Sequence, residues 1–189
     1  MCCCAMAIFK KVVVGLCSLL KVFLATAIIV VVTLKLYNVD FKVAGLSNPL
    51  HAECLLSGDV RGANVCLYTY AVCGLSLLVS MLLSTLMCFT CNCCGLGGWL
   101  EFIVACFQSA WWIIASIVLA KKVKDSNDLG LANEGWRDAV VVMTWTCAAL
   151  ALVTALVCLV DACKCLRECC SCCCRGEDDG DHKSKVMTA

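Results

Sequence analysis

The sequence predicts an all-α membrane protein: a four-transmembrane-helix bundle with both termini in the cytosol. Three observations predict this fold class. Hydrophobic residues make up 62% of the 189 residues, against roughly half in a soluble domain, and the mean hydropathy is +0.93. Four apolar segments are each long enough to cross a bilayer. Many of the 21 cysteines gather in clusters that four spans would bring to one membrane face.

The four apolar segments lie at about 12–36, 66–89, 99–120 and 139–160. A bilayer core about 30 Å thick needs roughly 20 helical residues, because each residue rises about 1.5 Å. Backbone groups in lipid must be satisfied internally, and long apolar runs achieve this as helices. We therefore expect a four-helix transmembrane domain over 1–161. The first run is too long for a signal peptide and is expected to be retained as a helix.

The connections between these segments are unequal in length. They comprise a first loop at 37–65, a tight turn at 90–98 and a second loop at 121–138. Short connections favour an up-down-up-down arrangement of neighbouring helices. Residues 162–189 are expected to form a cysteine-rich juxtamembrane segment followed by a disordered polar tail. The formal net charge of +1 gives no basic excess that would indicate nucleic-acid binding.

The cysteines divide unequally between the two faces that four spans create. Fourteen lie on the face shared by the termini and the tight turn, whereas the other face carries Cys54 and Cys66. Thiols stay reduced in the cytosol and pair in oxidising compartments, so we expect the crowded face to be cytosolic. Lysine and arginine are too evenly divided to decide the orientation. The fourteen, here called the cysteine clusters, are Cys2, Cys3, Cys4, Cys88, Cys91, Cys93, Cys94, Cys163, Cys165, Cys169, Cys170, Cys172, Cys173 and Cys174.

The isolated pair and the cysteine clusters lead to different expectations. A disulfide between Cys54 and Cys66 would stabilise the first loop by roughly 3 kcal/mol, the alternative being two free thiols. The cysteine clusters are candidates for S-acylation such as palmitoylation, because cysteines beside a membrane helix are usual acceptors. Covalent acyl chains and bound lipid are then expected. One alternative is metal binding by the thiolates, although regular C-x-x-C ligand sets are missing. The other is that these cysteines are simply small residues at a helix end, with no further role.

Three polar side chains fall within the apolar segments, where burying a charge is costly and often functional. Lys21 is close enough to the cytosolic face to snorkel to the headgroups. Glu101 is interfacial at the same face, so a Lys21–Glu101 pair is possible. Gln108 lies nearer the midplane and could hydrogen-bond to a neighbouring helix. No residue set resembles a catalytic or metal-binding motif, and we expect neither an enzyme nor a bound metal or other cofactor.

The stretch at 53–87 resembles the transmembrane protein 179 family. The four-span organisation of that family corresponds to the whole of this chain. Gly45 and Leu46, followed by Cys54 and Cys66, are similar to the first loop of claudins, although the tryptophans of that loop are missing. The resemblance implies a small claudin-like or MARVEL-like accessory protein with no catalytic residues. It adds nothing about the identity of a partner.

Two functions follow as hypotheses. The first is a non-enzymatic tetraspan that acts as auxiliary or scaffold subunit of a larger membrane complex, such as a channel or transporter. The alternative is self-assembly of identical copies into a pore or a junction, with the loop at 37–65 forming the contacts. Thiolate metal handling is a third hypothesis. In each case we expect a multi-pass protein of the plasma membrane or another secretory-pathway membrane, whose partners are the bilayer and other membrane subunits or identical copies.

Overall fold

The computed structural model describes residues 2–41, 50–57, 64–89 and 96–175, with side chains described within 10–40, 51–57, 64–85 and 98–164. Its helices are α1 (Cys2–Val31), α2 (Asn64–Phe89), α3 (Leu96–Asp128) and α4 (Glu134–Arg175). A single π-helical turn, Val32–Leu36, continues α1. Strands β1 (Tyr37–Phe41) and β2 (Leu50–Cys54) follow it as an antiparallel pair.

All four helices are long and apolar enough to cross a membrane, as expected of a multi-pass membrane protein. The candidate spans are Lys10–Leu36, Asn64–Thr85, Gly98–Asp128 and Glu134–Lys164. Each of them contains most of one segment predicted from hydropathy. The spans satisfy their own backbone groups, which is the main structural requirement that lipid imposes.

The last two helices are longer than their apolar segments, and the predicted loop at 121–138 is wrong in extent. Helix α3 continues to Asp128 and α4 already begins at Glu134. Lysine, alanine and glutamate favour helix, and no proline interrupts these stretches. Gly130, at φ 64°, reverses the chain where a left-handed conformation is needed. Beyond the fourth span, the predicted juxtamembrane segment is helical to Arg175.

The interior of the bundle follows the heptad spacing of antiparallel helix bundles. Helices α1 and α3 each pack against α2 and α4. Along every helix, fully or nearly buried residues alternate at intervals of three and four, which brings one seam of side chains toward the bundle axis. On α1 this seam is Val14, Ser18, Lys21, Ala25, Ile28 and Val32, and on α4 it is Val140, Thr144, Cys147, Ala151, Thr154 and Cys158.

The outward positions of the four spans are mainly apolar. A lipid-facing surface needs no hydrophilic side chains, and exposed leucine, isoleucine and phenylalanine are favourable there. Large apolar side chains with more than half of their surface exposed occur on each helix. They include Leu19 and Phe23 on α1, Leu78 and Met81 on α2, Ile103, Phe107 and Ile114 on α3, and Val142 and Leu156 on α4.

The β-hairpin closes one end of the bundle. Its strands pair Tyr37 with Cys54 and Asp40 with His51, and the turn after β2 returns Leu55 and Leu56 into the core, where both are fully buried. The Leu55 backbone N–H donates to the carbonyl of Leu36 at 2.8 Å. This bond joins the hairpin to the end of the first span.

Candidate functional site

An ion cluster ties three helices together at the end of the bundle opposite the hairpin. Lys10 Nζ lies 2.6 Å from Glu101 Oε2 and 2.6 Å from Asp161 Oδ2. Lys10 is near the start of the first span, Glu101 near the start of the third and Asp161 near the end of the fourth. Their meeting at one end requires α1 and α3 to run the same way and α4 to run in reverse.

The ion cluster is largely removed from solvent. The side chains of Lys10 and Glu101 are 13% and 4% exposed, whereas Asp161 is 36% exposed. The cluster is shielded from solvent because α3 and α4 approach each other closely at this end of the bundle. A Cβ at Gly98 would lie 3.8 Å from the Ala162 backbone and 3.9 Å from Asp161 Oδ2, so a side chain at this position would be in van der Waals contact with α4.

A second polar group, here called the core network, lies deeper in the bundle. Lys21 Nζ donates to Gln108 Oε1 at 2.6 Å, and Gln108 Nε2 donates to Ser80 Oγ at 2.9 Å. One turn further along α3, Trp112 Nε1 donates to Ser76 Oγ at 2.8 Å. All five residues are at least 98% buried. The Gln108 amide nitrogen also lies 3.4 Å from the Ser76 carbonyl oxygen, so the core network connects α1, α3 and α2.

Two predictions about Lys21 are wrong. Its side chain is fully buried and turns toward Gln108, so it does not snorkel, and it does not pair with Glu101. The carboxylate of Glu101 is bound instead by Lys10. Lys10 and Lys21 are eleven residues apart and therefore share a face of α1, since three helical turns take about eleven residues. The cation nearer the helix start reaches Glu101, and the next inward lysine meets Gln108.

Gln108 was expected to hydrogen-bond to a neighbouring helix, and the structure places its amide between two helices, α1 and α2. Sequence reasoning missed the other members of both groups, Lys10, Asp161, Ser76, Ser80 and Trp112. The sequence does contain a pattern that indicates the bonds between α2 and α3. Ser76 and Ser80, like Gln108 and Trp112, are four residues apart and so lie on one face of their helices. Two such pairs in facing spans are suited to bond with each other.

The cysteine pair of the first loop lies at disulfide distance. The Sγ atoms of Cys54 and Cys66 are 2.03 Å apart, and both residues are fully buried at the hairpin end of the bundle. The pair joins the end of β2 to the first turn of α2. It lies at the opposite end from the ion cluster, as expected if only one face is oxidising.

Replacing both Cys54 and Cys66 by alanine is expected to lower the free energy of unfolding by roughly 3 kcal/mol, because the loop between β2 and α2 gains freedom when unfolded. Thermal unfolding in detergent, with and without reductant, measures this. Reductant should destabilise the wild-type protein and leave the double variant unchanged. The exposed Cys163 provides a matched control as Cys163→Ala. Equal sensitivity of wild type and double variant to reductant would argue against the bridge.

Most of the cysteine clusters lie outside the described side chains. Cys2, Cys3, Cys4, Cys88, Cys165, Cys169, Cys170, Cys172, Cys173 and Cys174 fall in helices whose side chains are not described there, and Cys91, Cys93 and Cys94 lie outside the described residues. Cys163 is described and is exposed on the last turn of the fourth span. Its thiol is therefore accessible to modification. Acylation of these residues stays a prediction.

Comparison of the chain with models of protein families, with curated proteins and with solved structures finds no match. The site is therefore characterised by its own geometry. Both polar groups are enclosed by the helices, and their hydrogen bonds join one span to another.

Proposed function

We propose that this protein is a non-enzymatic tetraspan that associates laterally with a larger membrane complex as an auxiliary or scaffold subunit. One observation carries the proposal: the polar side chains of the core network and the ion cluster bond to one another inside the bundle, while its outer faces are mainly apolar. Such a body can contact other helices in lipid without exposing a charge. The claudin-like and MARVEL-like resemblance agrees with an accessory role.

The filled interior favours this function over a pore through one copy. Trp112, Ile28 and Leu119 are fully buried in the bundle, and the Lys21–Gln108 bond crosses it. Protein interiors packed in this way leave no room for a hydrated ion path. Any conducting form would have to lie between copies, not within one.

The outer face of α3 is the surface we propose for the lateral contact. Phe107 and Trp111 stack there with ring centroids 6.3 Å apart and planes inclined by 20°, and Phe107 is 55% exposed. Tryptophan in membrane helices is usually enriched at the headgroup level, whereas these rings lie in the middle of the span. Rigid aromatic side chains are effective anchors in protein contacts.

S-acylation of the cysteine clusters would support the same role. Cys163 is exposed where the fourth span ends, a position at which an attached acyl chain can enter the bilayer beside the helix. One chain contributes about 0.8 kcal/mol per buried CH₂. Intact-protein mass spectrometry before and after hydroxylamine treatment tests for such thioesters.

A photo-crosslinking amino acid at Phe107 tests the proposed function in cell membranes. We expect a discrete adduct with a different membrane protein, which should also co-purify with the unmodified chain in mild detergent. The same amino acid at Phe23, exposed on α1, is the matched control and should give lipid adducts. Lipid adducts alone at both positions, together with a monomer after purification, would contradict lateral association.

Self-assembly is the second candidate, and the hairpin favours it. Within the described residues β1 and β2 pair only with each other, and a free strand edge is a template for pairing with another chain. An adduct between two copies at Phe107, or rings or strands of the reconstituted protein in electron micrographs, would support this candidate. Bilayer recordings without conductance would remove its pore form.

A further inference from the structure

We propose that the bundle binds a small monovalent anion, of which chloride is the obvious example, beside Lys21 in the membrane interior. The site consists of the Lys21 ammonium and the Ser18 hydroxyl on α1, and it goes beyond the proposed scaffold role. Three features of the structure support it: the hydrogen bonding of Lys21, the free hydroxyl of Ser18 and the surrounding side chains.

The Lys21 ammonium has more N–H donors than it has acceptors to bind. An ammonium carries three N–H donors, but within the described part of the chain its only hydrogen bond is to Gln108 Oε1 at 2.6 Å. The side chain is fully buried. The described carboxylates of the bundle interior, Glu101 and Asp161, both lie on Lys10. A charged lysine at this depth therefore lacks a counter-charge among the described residues, and buried charges are normally paired.

Ser18 adds a hydroxyl that is not used elsewhere. Serine and threonine in helices usually donate to the carbonyl four residues earlier, as Ser84, Ser116 and Ser126 do in this chain. Ser18 Oγ is buried and has no hydrogen-bond partner among the described residues. Ser18 precedes Lys21 by three residues, so both side chains lie on the inward face of α1. The two residues are therefore neighbours on that face.

The surroundings select the charge and size of the ligand. The thiols of Cys17, Cys147 and Cys158 are buried in the bundle, and a thiol is only a weak donor and a weak acceptor. The Gln108 amide group is directed with its oxygen to Lys21 and its nitrogen to Ser80. The Lys21 ammonium is positively charged and can only donate, which favours an anion over a cation. One ammonium balances one negative charge, so a monovalent anion fits better than sulfate or phosphate.

The competing arrangement is an uncharged Lys21 amine, which needs no counter-ion. It keeps the bond to Gln108, because a neutral amine still donates. The two arrangements differ in their response to chloride, since only the charged form gains from an anion. They differ also in the chemical shift of the Lys21 Cε carbon, which reports the charge of the adjacent nitrogen.

Titration of the purified full-length protein with chloride tests the proposal. Chloride replaces gluconate at constant pH and ionic strength, and binding is followed by broadening of the ³⁵Cl resonance and by the midpoint of thermal unfolding. We expect saturable broadening and a rising midpoint in the wild-type protein. Lys21→Met should weaken chloride binding about tenfold or more, as expected for loss of a charge-assisted contact, and Ser18→Ala should weaken it several-fold. Lys124→Met, at an exposed position of α3, should change nothing.

Two results would overturn the proposal. The first is a wild-type protein with no saturable response to chloride, together with a Lys21 Cε shift typical of a neutral amine. The second is a response that is the same in wild type, Ser18→Ala and Lys21→Met, which would locate the anion elsewhere. The Ser18→Ala variant removes one oxygen and keeps the lysine, so it remains informative even if Lys21→Met does not fold.

Discussion

Replacing Lys10 by methionine is expected to destabilise the bundle by roughly 3 kcal/mol, because it removes the ammonium that both the Glu101 and the Asp161 carboxylates contact. Removing one partner of a buried ion pair usually costs about 3–5 kcal/mol. The lower end of this range is appropriate for Lys10→Met, since Asp161 is 36% exposed and water can still solvate its carboxylate. Reversible unfolding by sodium dodecyl sulfate, followed by tryptophan fluorescence, measures the loss.

A double variant separates the ion pair from the packing of Lys10. Lys10→Met combined with Glu101→Gln removes the stranded buried charge, so it is expected to regain more than half of the stability lost in Lys10→Met alone. Lys124→Met is the matched control for loss of a lysine and should remain within about 0.5 kcal/mol of wild type, as exposed substitutions usually do. A double variant less stable than Lys10→Met would contradict the assignment of the ion cluster as a charge pair.

Hydropathy was sufficient to locate the four long apolar helices, because a bilayer sets both the length and the composition of a helix that spans it. It could not locate the ends of α3 and α4. Lys121, Lys122 and Asp125 are polar, and polarity was taken to indicate a loop, but these residues are compatible with helix. The helix ends only where Gly130 takes a left-handed conformation. Hydropathy indicates whether a segment is suited to lipid or to water, but it does not indicate the backbone conformation of that segment.

The hairpin had a signal in the sequence that was not used. Val39 alternates with Asn38 and Asp40, and Ala52 alternates with His51 and Glu53; alternation of this kind is typical of strands with one buried face. In the structure Ala52 is buried, while His51 and Glu53 are exposed. Each strand has only five residues, so the alternation is too short to distinguish a strand from a loop by itself.

The partners of the polar side chains could not be predicted for a different reason. Which lysine meets Glu101 depends on how far α1 and α3 are shifted along their axes and how each is rotated. Lys10 and Lys21 lie three helical turns, about 16 Å, apart along α1, and neither hydropathy nor length indicates which of them is level with Glu101. The disulfide, by contrast, could be predicted from Cys54 and Cys66 alone, because only two cysteines were expected on that face.

Gln108→Leu and Lys21→Met are expected to differ strongly, although each removes the same hydrogen bond. Gln108→Leu leaves the buried Lys21 ammonium without its acceptor, and an orphaned charged donor costs more than the roughly 1–3 kcal/mol typical of a neutral one. It also removes the bond to Ser80. Lys21→Met leaves only the neutral oxygen of Gln108 without a donor, which costs about 1–3 kcal/mol. The order of stability should therefore be wild type, then Lys21→Met, then Gln108→Leu.

The double variant Lys21→Met, Gln108→Leu completes the comparison. Replacing both partners of a buried polar pair by apolar side chains is often nearly neutral, so the double variant should be more stable than Gln108→Leu. Unfolding should be measured in gluconate buffer, because a bound anion could compensate for the lost acceptor in Gln108→Leu. Adding chloride should then stabilise Gln108→Leu, which keeps Lys21, and should leave the double variant unchanged. Equal losses in the two single variants would contradict a charged Lys21, because Gln108→Leu would then have to cost clearly more than Lys21→Met.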